Sequence, residues 1–138
     1  MIVADTNVMS EPTKPAPEPA VLDWFELNSP HIVTTAVSVG EIFRGLGKLP
    51  KGRRAQRMRD GAERVLGLYV NDVLPYDDGA ARIYAEMATA RRRSGRPLAT
   101  EDGMIAAICV RSGAALATRN ASDFDGLGLM LIDPWSAS

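Results

Sequence analysis

The chain has 138 residues, 46% hydrophobic and 24% charged, with a formal net charge of −1. That describes one ordinary globular domain over residues 1–138, long enough to bury a core without covalent staples. The single cysteine, Cys109, excludes an internal disulfide framework, and no apolar run suits a secretion signal or a bilayer span, so the expectation is a cytoplasmic protein with no membrane partner.

In chain order, Met1-Ile2-Val3-Ala4 reads as a short strand that runs straight into Asp5-Thr6-Asn7. A carboxylate there stands at the C-terminal mouth of a strand, where α/β proteins bind ligands; a plain capping role suits it equally. The proline-rich stretch 12–19 reads as a surface loop. A helix is predicted over Pro19–Asn28, with Val21, Leu22, Trp24 and Phe25 at helical spacing after a proline start. The β-branched run 31–35 is a strand, after which Ser38 is placed to cap a helix carrying Glu41, Ile42 and Leu46. A longer amphipathic helix covers Arg53–Tyr69, with Met58, Ala62, Val65, Leu66 and Tyr69 inward. Residues 73–76 read as a short strand, with Pro75 suited to an edge or a strand end. A helix over 77–94 then turns Ala81, Tyr84, Ala85 and Ala88 inward and stops at Gly95. Thr100 caps the next helix, which buries Met104, Ile105, Ile108 and Cys109 and ends at Gly113. Strands over 114–118 and 129–132 complete the chain. His31 and Cys109 are single residues and read as structural.

Strands alternating with helices imply parallel crossovers: an α/β fold with a central parallel sheet of about five strands and helices on both faces. In such a sheet every strand end and following helix start shares one edge. Asp5, Glu41, Asp102 and Asp123 all fall at such positions and should converge there. Taken singly, Glu41 and Asp102 are explained by the preference of acids for helix N-termini. Together they would repel, and some would bind protons unless a cation joined them. Oxygen ligands without a His or Cys cluster suit Mg²⁺, or Mn²⁺.

The bases lie apart from these acids. Arg44, Lys48, Lys51, Arg53, Arg54, Arg57, Arg59 and Arg64 face only Asp60 and Glu63, and Arg91-Arg92-Arg93 with Arg96 form a second cluster. Solvated helix faces explain any one of them. Basic surfaces flanking an acidic centre also suit a polyanionic substrate handled by bound metal.

Four segments carry a resemblance: Ile2-Val3-Ala4-Asp5-Thr6-Asn7, Ser38-Val39-Gly40-Glu41-Ile42-Phe43-Arg44-Gly45, Thr100-Glu101-Asp102-Gly103-Met104-Ile105-Ala106-Ala107, and Ala117-Thr118-Arg119-Asn120-Ala121-Ser122-Asp123-Phe124. In order and spacing the chain resembles PIN-domain ribonucleases of the VapC toxin type, nearest the FitB-like branch. That resemblance implies a single PIN-like domain, metal-dependent RNA hydrolysis leaving a 3′-hydroxyl and a 5′-phosphate, and a homodimer. It also implies inhibition by an antitoxin whose own domain binds operator DNA. Carried over, Asp5, Glu41, Asp102 and Asp123 are the catalytic, metal-binding acids. Thr6, Asn7, Thr118 and Asn120 are polar supports, and Glu101 and Asp125 are neighbours open to sharing the site.

Other readings have specific requirements. A phosphatase built on a strand-end Asp usually has a second acid two residues on, where this chain has Asn7. A phosphoaspartate receiver needs an acceptor Asp after a middle strand, but the run 31–35 ends in Thr34-Thr35-Ala36. A non-catalytic binding module would show a broken acid set, and this one is intact. The antitoxin is expected to lie across a groove near Phe43 and Trp24 and to insert an Arg or Lys among the acids.

Overall fold

The computed structural model describes residues 1–136. Five strands, β1 (Ile2–Ala4), β2 (Ile32–Thr35), β3 (Val73–Leu74), β4 (Ala115–Ala117) and β5 (Leu131–Ile132), form one sheet in the order β3-β2-β1-β4-β5, every pair parallel. Six helices connect them: α1 (Thr6–Ser10), α2 (Pro19–Asn28), α3 (Ala36–Gly47), α4 (Arg53–Tyr69), α5 (Asp78–Arg93) and α6 (Thr100–Ser112). The expected parallel sheet is therefore present.

Alternation along each strand builds two cores. Ala4, Ile32 and Ala117 face Val8, Met9, Val21, Trp24, Phe25 and Val65 from α1, α2 and α4. Their neighbours Val3, Val33 and Leu116 face Ile105, Ala106 and Cys109 of α6. Successive residues point to opposite faces of a strand, so a sheet buried on both sides needs the continuous apolar runs seen here. A third cluster, Ala80, Ala107 and Ile108, joins α5 to α6. Because β2 and β4 lie on opposite sides of β1, the winding reverses there, and a crevice opens at the C-terminal ends of β1 and β4.

Several local expectations change. The strand expected over 31–35 begins at Ile32, and exposed His31 closes a 3-10 turn before it. Helix α3 starts at Ala36 and its cap is Thr35, whose Oγ1 accepts the Ser38 N–H at 3.0 Å. Ser38 is instead buried inside the helix, and Glu41 moves from the first turn to the second. Thr100 is the first helical residue of α6, preceded by Ala99 with no side-chain cap. On α5 the packed stripe is Ala80, Ile83, Tyr84 and Met87, one position away from the expected alanine face; Ala85 is exposed. Short α1 follows β1 at once because Asp5 caps it.

Candidate active site

Asp5 leaves β1 with its N–H donated to the Ala117 carbonyl at 3.1 Å, which pins it between β1 and β4. Its Oδ1 accepts the Val8 N–H at 3.0 Å, so the capping role is real and coexists with the strand-mouth position. The side chain is buried. Burial, more than anything else, raises its pKa above the ordinary value, and the charge of Glu41 pushes the same way. Hydrogen bonds from the Thr118 hydroxyl and from the N–H groups of Val8 and Asn7 oppose that rise. Thr118 is itself buried and accepts the Asn120 N–H at 3.1 Å, tying the exit from β4 to Asp5. The Asn7 and Asn120 residues are exposed.

Glu41 reaches the same edge from α3. Its Oε1 lies 2.6 Å from the Thr6 hydroxyl, which lies 3.1 Å from Ser38 Oγ. A hydroxyl has one proton to give. Thr6 gives it to the carboxylate, and buried Ser38 and Thr35 back it from below. That Thr35–Ser38–Thr6 relay was not foreseen; its signal was the run of hydroxyl residues at the end of β2.

Asp102 stands in the first turn of α6, half-buried. Burial is the largest influence raising its pKa, followed by the negative charges of Asp123, Asp5, Glu41 and Glu101. Asp5, Glu41 and Asp123 thus all act on Asp102, and Glu101 adds to that field. Glu101 also pairs with Arg44 Nη1 at 3.7 Å, linking α6 to α3. Asp123 is exposed on a 3-10 turn, 121–124, and its neighbour Asp125 is exposed as well.

Two clefts adjoin the acids. One, of about 390 Å³, lies beside Asp102 and Asp123 and is walled by Arg91, Arg96, Pro97, Leu98 and Ala99. The other, of about 330 Å³, runs from Thr6 and Glu41 over Met9, Ile42, Leu46, Leu49 and Met58, between α1, α3 and α4. The groove expected near Phe43 and Trp24 is not there: Trp24 is only 5% exposed and packs edge-on to Phe25. Phe43 is half-buried beneath the Arg59 guanidinium, 5.7 Å from its ring centre. The basic clusters also divide. Arg53, Arg54, Arg57 and Arg59 line exposed positions of α4, whereas Arg91 is buried and absent from the charged surface.

The donors at this rim are all hard carboxylate oxygens, which fit a divalent cation of the same character. Among the described residues no three acids are gathered tightly enough to hold an ion by themselves.

A family model described as the PIN domain matches residues 2–127. The chain belongs to the PIN-domain family. A VapC ribonuclease of Sinorhizobium fredii is 39% identical to it, the match covering 98% of each chain. The toxin FitB of Neisseria gonorrhoeae is 31% identical over 98% of this chain and 99% of that protein. Among solved structures, FitAB bound to a DNA fragment matches with a TM-score of 0.90 at 30% identity, covering 100% of this chain and 98% of that one. PIN-domain nucleases generally use a divalent metal, and no helix among the described residues is long and apolar enough to cross a membrane.

Proposed function

We propose that this PIN domain is the toxin of a two-component toxin–antitoxin system: a ribonuclease that hydrolyses RNA phosphodiester bonds with Mg²⁺, or Mn²⁺ in its place. Asp5, Glu41, Asp102 and Asp123 would hold the ion, with Thr6, Asn7, Thr118 and Asn120 in support. The observation that carries this reading is the setting of half-buried Asp102 at the cleft it shares with Asp123, where burial first and then the charges of Asp123, Asp5, Glu41 and its neighbour Glu101 raise its pKa. Such an arrangement is costly to a protein that never meets a cation.

When bound, the ion supplies Lewis acidity toward a phosphate oxygen and makes a water acidic enough to attack. The chain's own residues do the rest. Thr6 aims Glu41 by donating to Oε1, and the Thr118 hydroxyl just past β4 favours the ionised form of Asp5. The exposed arginines of α4 offer sequence-independent contacts to phosphates. Arg96, at the wall of the cleft beside Asp102 and Asp123, offers another close to the cutting point.

The names of the relatives, a toxin and a FitAB complex bound to a DNA fragment, support a cognate antitoxin; in this reading operator DNA is contacted through the antitoxin. The apolar cleft over Met9, Ile42, Leu46 and Met58 is the surface suited to it, since it opens onto Thr6 and Glu41. A homodimer fits the exposed Leu27 and Leu68, at 81% and 66%. Light scattering that gave a monomer at micromolar concentration would count against it. A cytoplasmic setting agrees with Cys109, whose thiol is pushed up to about 12 by burial first and by the charge of Asp5 second, and is therefore inert.

The deciding assay is RNA cleavage by the purified chain with Mg²⁺ and with EDTA. Cleavage only with Mg²⁺ is expected, and full activity in EDTA would sink the metal reading.

A further inference from the structure

Arg91 lies on the packed stripe of α5, in line with Ala80, Tyr84 and Met87, and is 9% exposed. A guanidinium keeps its charge even when removed from water, and so needs acceptors there. Its acceptors are all main-chain carbonyls. Nη2 donates to the carbonyl of Asp123 at 2.8 Å and to that of Asp125 at 2.9 Å. Nη1 donates to the carbonyl of Arg96 at 3.2 Å, and Arg96 in turn donates from Nη2 to the Ser122 carbonyl at 3.2 Å. One side chain therefore grips both the turn that carries Asp123 and the segment that leads into α6 and Asp102.

We infer that Arg91 is a positioning residue for metal binding: its planar fork fixes Asp123 relative to Asp102. The inference rests on the reading of Asp123 as a metal-site acid. Asp123 is exposed on a four-residue 3-10 turn, so its placement depends on how that turn's backbone is held. Charge-assisted hydrogen bonds to carbonyls are stronger than neutral ones, and the rigid fork matches two acceptors at once. A lysine has a single ammonium on a flexible stem and cannot reproduce that grip. Groups that orient metal ligands from behind typically change affinity or activity by about 10- to 100-fold when removed. Arg91 is only 9% exposed at the cleft wall and its donors are taken by carbonyls, so its effect is expected on the acids and not on RNA affinity.

The test is Mn²⁺ binding to the metal-free protein, read by the loss of the free-ion paramagnetic resonance signal, together with kcat and KM for RNA at saturating Mn²⁺. Wild type is compared with Arg91→Lys, Arg91→Met and Asp123→Asn. Both Arg91 variants are expected to bind Mn²⁺ about ten-fold more weakly or worse, with kcat reduced and KM unchanged, and Lys is expected to lose less than Met. If Arg91→Met fails to fold, Arg91→Lys decides. Wild-type Mn²⁺ affinity and kcat in Arg91→Lys, alongside an impaired Asp123→Asn, would overturn the role of Arg91 alone. A fully competent Asp123→Asn would instead remove Asp123 from the site, and the inference with it.

Discussion

Asp5 serves two purposes that conflict electrostatically. It caps α1 through Val8, which favours a negative charge, yet it is buried beside Glu41, which opposes one. Replacement by Asn keeps the cap, because an amide oxygen accepts the same N–H, and removes the repelled charge. Asp5→Asn is therefore expected to abolish Mg²⁺-dependent RNA cleavage while the metal-free protein melts no lower than wild type; retained activity in this variant would exclude Asp5 from the site. The same repulsion predicts a pH dependence. Asp5 and Asp102 both have folded pKa values raised above 3.8, so between that value and their raised ones the folded state binds more protons than the unfolded. Stability contributed by these two groups therefore falls as pH rises through that window. Glu11 and Asp77 act oppositely: the Lys14 ammonium lowers the first, and the Ala80 N–H chiefly lowers the second. Their stabilisation is present above 4.5 and 3.8, respectively, and is lost below. Metal-free protein should then have a higher Tm at the acid end of that window than above it, and Mg²⁺ should close the gap by stabilising the ionised acids. Calorimetric melts showing a Tm independent of pH, or a gap that Mg²⁺ leaves intact, would contradict the clustering of charge.

At the level of elements, the α5–α6 pair sets the height of Asp102. The Tyr84 ring packs against the first turn of α6, so close that a Cβ on Gly103 would fall 2.6 Å from Tyr84 Cε1 and 2.9 Å from Cδ1. Gly103 is thus a contact surface, although in a helix it costs about 1 kcal/mol relative to alanine. Gly103→Ala should destabilise by about 1–3 kcal/mol through overpacking and reduce cleavage by shifting Asp102. In combination with Tyr84→Ala the two losses should be less than additive, and strict additivity in urea unfolding would show that the two residues do not press on each other. How these elements were legible in the sequence differs from case to case. The strands and α2, α4 and α6 were readable because β-branched runs and helical spacing repeat the period that burial demands. The four acids were readable because each stands near a strand exit or helix start on one edge. The face of α5 was not: alanines at 80, 81, 85, 88 and 90 leave the stripe undetermined by hydrophobicity. Arg91 looked like one more member of a basic run, because two of its three acceptors are carbonyls 32 and 34 residues away, which no local pattern encodes. Thr35 was passed over as a cap for Ser38 because strand and helix abut there without a turn.

At the scale of the whole molecule, the rim acids and the exposed arginines of α4 stand on either side of one cleft. The acids occupy the edge where β1 meets β4, and the arginines of α4 lie beyond the apolar cleft that runs down from Glu41. A protein inhibitor that fills this cleft reaches Thr6 and Glu41 at its upper end, and there it meets the rim of carboxylates. The side chain best fitted to continue into that rim is an arginine, since its fork pairs with carboxylates in bidentate fashion and never loses its charge. An inserted arginine and a divalent ion would relieve the same repulsion at Asp5 and Asp102, so each should weaken the other's binding by an equal factor. Toxin–antitoxin affinity should therefore fall as Mg²⁺ rises at constant ionic strength, and Asp102→Asn, which removes part of the shared site, should flatten that dependence. Calorimetric titration of antitoxin into toxin across Mg²⁺ concentrations measures it directly. An affinity indifferent to Mg²⁺ would mean that the inhibitor acts in the apolar cleft alone, closing the path of RNA without touching the acids.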